Sequence, residues 1–225
     1  MQSNKPASNL LNFSGVRFLN LLIVGANGKT GHALVHQACA LGHNVTALVH
    51  HAPSHPLPCA RTLVGDARDP QLLDSAVAGQ NAIVDTVGTR KPFLKTTLET
   101  DIARHLIDAM RHHNLRRIVA VSSLGVGDSI ANVPALYRAL IPLFFRGAMP
   151  DKEGMEAQLR QSSLDWTIVR PAGLTDGSET NSVQIVTPES HRHVRRISRA
   201  DVAAFILNHL NDDASFQKTV GIATP

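Results

Sequence analysis

Residues 24–33, VGANGKTGHA, set glycines at Gly25, Gly28 and Gly31, three apart each time. The chemistry open to this spacing is the holding of a polyanion on backbone amides. Gly25 permits the turn out of a strand, Gly28 lets the backbone come close to a ligand, and Gly31 lets a helix pack onto a sheet. Amides at the start of that helix, aided by its dipole, then face a pyrophosphate. Asn27, Lys29 and Thr30 lie between the glycines and are assigned to the same site. The loop is not of the Walker A kind: Lys29 follows Gly28, but the spacing is wrong. A glycine-rich turn without a ligand is the alternative. The flanks favour the ligand, because an apolar run precedes the loop and an amphipathic run follows it.

The charge pattern says which ligand. A site selecting NAD places an Asp or Glu about 20 residues on, against the ribose hydroxyls. Here that position reads Val49-His50-His51, and Asp66 is the first carboxylate of the chain. An acid would repel a 2′-phosphate, so its absence favours NADP(H), with His50, His51 and Lys29 as candidate phosphate partners. The net charge of +4 and pI near 9.4 also permit nucleic acid, through clusters such as RHHNLRR (111–117) and HRHVRR (191–196). With only 4% aromatic residues there is no stacking platform, which argues against that partner.

The elements that would position this loop alternate along the chain. FLNLLIVG (18–25) reads as a buried parallel strand, NVTALVH (44–50), RTLVGD (61–66), NAIVDTVG (81–88), RRIVAVSSLG (116–125) and LDWTIVRP (164–171) as five more. Between them, helices are expected over 29–41, 70–79, 94–113 and 151–162; Leu98, Ile102, Leu106 and Met110 form the clearest stripe. After Pro171, SVQIVT and TVGIAT suggest short strands flanking a helix from about Arg199 to Leu210, capped by Ser198. The expected fold is α/β, a Rossmann-type doubly wound parallel sheet in three α/β/α layers. Residues 1–17 read as a flexible tail and 18–225 as a single NAD(P)-binding domain with small substrate-side elements at its C-terminal end. No apolar run approaches the ~18–20 residues of a membrane span, and the N-terminus does not resemble a signal peptide. Cys39 and Cys59 show no metal spacing and are expected as free thiols in a reducing cytoplasm. The 12 histidines, His112-His113 and His191/His193 among them, form no compact ligand set, so no metal is expected.

VGANGKTG, VGDARD, DTVGT, VSSLGVGD, LDWTIVRPAGLTDG and ISRADVAAFIL together resemble the atypical, extended-type short-chain dehydrogenase/reductase superfamily, nearest its NmrA-like and biliverdin reductase B (flavin reductase) branch. The resemblance runs from about residue 18 to 222. It implies that Asp66, with Ala67 beside it, meets the adenine, and that Val87, Gly88 and Thr89 border the cofactor, with Arg90 next to them. It further implies that Ser122 and Ser123 lie near the nicotinamide, that Ser123 faces the substrate, and that Pro171, Ala172 and Gly173 border the nicotinamide face. Two features depart from the pattern. The Tyr-x-x-x-Lys pair of the classical dehydrogenases is missing, since Ile141 stands four residues after Tyr137. Ala172 replaces the histidine that the biliverdin-reducing branch carries there, against biliverdin reduction. Lys152 matches a lysine of many atypical members and is taken with Ser123 as catalytic.

The apolar segment 133–150, interrupted by Pro142, is a candidate lid, with Tyr137, Phe144 and Phe145 packing on a flat substrate; core or oligomer contact is the alternative. The expected activity is hydride transfer from NADPH to a small planar acceptor such as a flavin or quinone. Such acceptors take protons from solvent and need no strong protein acid. The alternative is an NmrA-like redox sensor that holds NADP(H) without turnover, and a further alternative is biliverdin reduction. Monomer and dimer both remain open.

Overall fold

Strand β1 (Asn20–Val24) is buried from Leu21 to Val24, and an apolar run of this kind fits a strand covered on both faces. It pairs in parallel with β2 (Asn44–Val49) on one side and β4 (Ala82–Asp85) on the other. With β3 (Arg61–Val64), β5 (Arg117–Val121), β6 (Asp165–Pro171), β8 (Gln184–Val186) and β10 (Lys218–Ala223), the sheet order is β3-β2-β1-β4-β5-β6-β10-β8. Only β8 runs antiparallel in this sheet, as an edge strand on β10. The computed structural model describes residues 18–53, 57, 59–187, 194 and 196–225. The tail 1–17, parts of the loop after His51 and most of HRHVRR lie outside the described residues.

The two faces of β1 separate by its two-residue period. Leu21 and Ile23 pack with Leu34 and Val35 of α1 (Lys29–Ala40) and Val202 and Ile206 of α6 (Arg199–Asn208). Leu22 and Val24 pack with Leu73 of α2 (Pro70–Val77), Ile102 and Leu106 of α3 (Leu98–His112), and Met155 of α5 (Ala148–Gln161). Each such fully buried side chain contributes about 1.5–3 kcal/mol, which fixes a helix layer on each face of the sheet. The fold is the expected three-layer Rossmann type. Its strand order reverses between β1 and β4, where ligands of such sheets bind beyond the carboxyl ends. The helix starts follow the sequence chemistry: Asp69 accepts from the amides of Gln71 and Leu72 ahead of α2, and Ser198 accepts from Asp201 ahead of α6.

Three features differ from expectation. The segment 133–150 contains a helix, α4 (Ala135–Phe144), with Pro142 inside it and no buried residue. A separate parallel pair, β7 (Gly173–Thr175) with β9 (Arg196–Ser198), stands beyond β6. Each strand is three residues long, too short for a period to register. The cysteines are not free: Cys39 and Cys59 form a disulfide with Cα atoms 6.0 Å apart. Cys39 ends α1, and Cys59 sits in a positive-φ turn ahead of β3, so packing brings together two thiols separated by 20 residues. The cytoplasmic expectation therefore loses the support it took from free thiols. No helix among the described residues is long and apolar enough to cross a membrane.

Candidate functional site

The glycine loop forms at the switch point. Gly25 has φ +77°, a left-handed backbone that suits glycine, and the Gly28 amide donates back to Gly25 O at 2.9 Å to close the turn. A Cβ on Gly31 would sit 2.8 Å from both Ala26 Cα and Thr86 Oγ1 and nearer still to Gly25 O. A Cβ on Gly28 would meet only Gly25 O, at 3.2 Å, on the open side of the loop. Helix α1 starts at Gly28 with no side-chain cap and no acid in its first turn. The first-turn amides are thus left to an outside anion, and this cradle fits a pyrophosphate. Thr86, which sequence reasoning missed, anchors the loop by donating to Val24 O at 2.8 Å.

From the loop a cleft of about 510 Å³ runs over the carboxyl ends of β4, β5 and β6. Thr30, Val87 and Gly88 line its loop end, and Ser122, Ser123, Pro171, Ala172 and Gly173 its floor. Tyr137 and Phe145 of the α4 region line the far wall, with Ile141 and Met149, which were not anticipated. Phe144 is not in the lining and is 52% exposed. Ser122 is committed elsewhere: its hydroxyl donates to Glu156 Oε1 at 2.6 Å. Among the described residues Ser123 Oγ makes one bond, to Leu124 O at 3.2 Å, and the residue is half-buried.

Apart from Lys152, the remaining assigned residues lie outside the cleft lining. His50 and Asp66 come together beyond β2 and β3, with His50 Nε2 4.0 Å from Asp66 Oδ2 and Ala67 half-buried beside them. Arg68 grips Asp66 at 2.7 Å, and hydrogen bonds from Arg68 lower the Asp66 carboxyl to about 2. This exposed guanidinium beside His50 and His51 is a cation that the sequence reading did not weigh for the 2′-phosphate. Lys29 Nζ pairs with Asp176 at 2.6 Å, in a shallow groove shared with Asn27 and Arg199. Thr89 and Arg90 follow Gly88 on the loop after β4, where Thr89 Oγ1 accepts from the Lys91 amide. At the far end of α3, His112 and His113 both reach Asp74, at 2.7 and 3.2 Å.

Beneath the cleft lies a buried charge cluster that no local pattern announced. Lys152 lines the cleft, and its Nζ is 2.7 Å from Glu99 Oε2, whose residue is 1% exposed. Asp85, at the end of β4, is 4% exposed and accepts from the Val87 amide at 3.0 Å. Burial pushes its carboxyl up to about 7, and the Glu99 charge adds to the rise. The folded chain therefore holds a proton on Asp85 that the unfolded chain releases near 3.8. Stability from this group is full below that value and is lost as pH rises towards 7. Asp85→Asn removes the dependence, so its stability relative to the parent should improve between pH 4 and pH 8. Urea unfolding at both values measures this; a difference that stays flat with pH would contradict the buried proton.

Residues 25–213 match the family model described as NAD(P)H-binding. The chain is 28% identical to an anaerobilin reductase from Escherichia coli, with TM-score 0.74 over 92% of this chain and 97% of that one. A short-chain dehydrogenase/reductase from Veillonella parvula in complex with NADP shares the fold, with TM-score 0.73 at 18% identity, covering 92% of this chain and 94% of that one. Among curated relatives, the photosystem II assembly factor Ycf39 of Trieres chinensis is 26% identical over 85% of this chain. The chain spans 60% of that relative's length. The expected cofactor, NADP(H), agrees with this family.

Proposed function

Because the chain belongs to the NAD(P)H-binding family, we propose that it is an NADPH-dependent reductase that passes hydride to a planar conjugated acceptor such as a flavin or quinone. The observation that carries the reading is the continuity of the cleft. Its loop end holds Thr30 and Gly88, and its far wall offers Tyr137, Ile141, Phe145 and Met149, the surface a flat ring needs. NADPH supplies the hydride when bound; the chain orients it and keeps water away. Pro171 and Ala172 form the wall against which the nicotinamide would lie, and Ser123 has a hydroxyl free enough to turn to a ligand. Lys152, held by Glu99, sets its ammonium at the cleft, where the oxidised acceptor would gain the hydride's electrons. No acid directly follows β2 in sequence, and the nearby Asp66 is held by Arg68, so that with His50 and His51 this end of β2 supports NADPH over NADH.

The experiment is to mix the chain with NADPH and, in turn, FMN, riboflavin, biliverdin and simple quinones, following loss of the reduced nicotinamide. Acceptor-dependent oxidation is expected, with NADPH preferred to NADH. Ser123→Ala should lower turnover by up to about 100-fold, the scale on which a lost positioning contact acts, with little change in NADPH affinity. Unchanged turnover across all acceptors would remove Ser123 from the mechanism. The similarity to an assembly factor supports a second reading, an NADP(H)-holding sensor. Tight NADPH binding with no turnover on any acceptor would select it.

A further inference from the structure

We propose that α4 and the adjoining loop 91–95 form a docking surface for an anionic lipid bilayer. Helix α4 carries two apolar stripes. Tyr137, Ile141 and Phe145 recur every four residues and line the cleft. Leu136, Leu140, Leu143 and Phe144 make a second stripe, with Leu136 72% and Leu143 64% exposed. Arg138 is the one charged residue of α4, and a helix so largely apolar is normally buried, yet no residue of α4 is.

The patch extends beyond the helix. The amides of Gly147 and Ala148 both donate to Pro92 O at 2.9 Å, and Arg146 Nε donates to Phe93 O at 3.1 Å. Gly147 permits this approach, because a Cβ there would run into the Leu94 carbonyl. Exposed Phe93 and Leu94 are thereby tied to the C-terminal end of α4 as one surface.

Charge selects what covers it. Residues 86–98 and 133–150 contain Arg90, Lys91, Lys95, Arg138 and Arg146, all exposed, and not one carboxylate. A second copy across a two-fold axis would set these cations against themselves. An anionic bilayer takes both features at once: Leu and Phe enter the interface, and the cations meet the headgroups. The surface goes beyond the reductase reading and stands without it.

Co-sedimentation of the full chain with phosphatidylcholine vesicles, with and without phosphatidylglycerol, tests the proposal. Binding is expected only to the anionic vesicles, and should fall as salt is raised. Lys91→Gln and Arg138→Gln should each weaken it about fivefold. Leu136→Ser combined with Leu143→Ser should abolish it, while NADPH binding by the same variant reports an intact fold independently of any turnover. Equal behaviour with both vesicle types, or binding that survives the double variant, would overturn the proposal. So would a dimer in solution that the double variant dissolves, since that assigns the face to a second copy.

Discussion

Gly31→Ala is expected to weaken NADPH binding at least 100-fold and to lower stability by about 1–3 kcal/mol, the usual cost of overpacking. The cause is steric and local. The new methyl would lie 2.8 Å from Ala26 Cα and inside the contact distance of Gly25 O, so its obstacles are mainly backbone. Thr86 Oγ1, also at 2.8 Å, is fixed by its own bond to Val24 O. The loop must therefore shift, and a shift moves the amides that face the pyrophosphate. A hundredfold loss is about 2.7 kcal/mol, the scale of one or two misplaced charge-assisted hydrogen bonds. Gly28→Ala makes the comparison sharp. Its methyl meets only Gly25 O at 3.2 Å, so it should weaken binding with a smaller loss of stability. Titration calorimetry with NADPH and thermal unfolding of both variants measure the split. NADPH affinity in Gly31→Ala within twofold of the parent would mean that this loop does not hold the cofactor.

What could be read in the sequence was local. The three glycines, the apolar run of β1 and the stripe Ile102, Leu106 and Met110 declare themselves within one element, because backbone period and side-chain burial act over a few residues. The loop-end and floor residues Gly88, Ser123 and Pro171 followed from strand ends and a family resemblance, and the cleft does gather them. What escaped was assembled by strand order. Asp85, Glu99 and Lys152 come from β4, α3 and α5, and no window of sequence contains all three. The disulfide depends on where the turn before β3 crosses the end of α1. In α4, Pro142 reads as an interruption of the segment. A proline removes one amide and crowds the preceding turn, but this exposed helix continues past it to Phe144.

Glu156→Ala should cost about 3–5 kcal/mol, the largest stability loss expected for a single change near the cleft. Glu156 is fully buried and takes Ser122 Oγ at 2.6 Å, Arg170 Nε at 2.9 Å and Nη2 at 2.7 Å, and Arg160 at 2.6 Å. Removal leaves Arg170, itself 3% exposed, with only the outlying Asp128 to balance it. Burial alone would raise the Glu156 carboxyl, but hydrogen bonds from Arg170 and Ser122 and the two arginine charges hold it below 4.5. Its contribution is therefore complete above pH 4.5 and is lost as pH falls through the lowered folded value, the opposite direction to Asp85. The double variant Glu156→Leu/Arg170→Met replaces the pair with apolar groups and should recover much of the loss, because no buried charge is then left alone. Function should follow stability here. Ser122 directly follows β5 and Arg170 stands one residue before Pro171, so the network pins the two strand ends that form the cleft floor. Glu156→Gln keeps the shape but not the charge. It should lose less stability than Glu156→Ala while loosening the floor enough to weaken NADPH binding. Urea unfolding and NADPH titration of the three variants separate these effects, and an alanine variant as stable as the parent would show that the buried arginine needs no carboxylate.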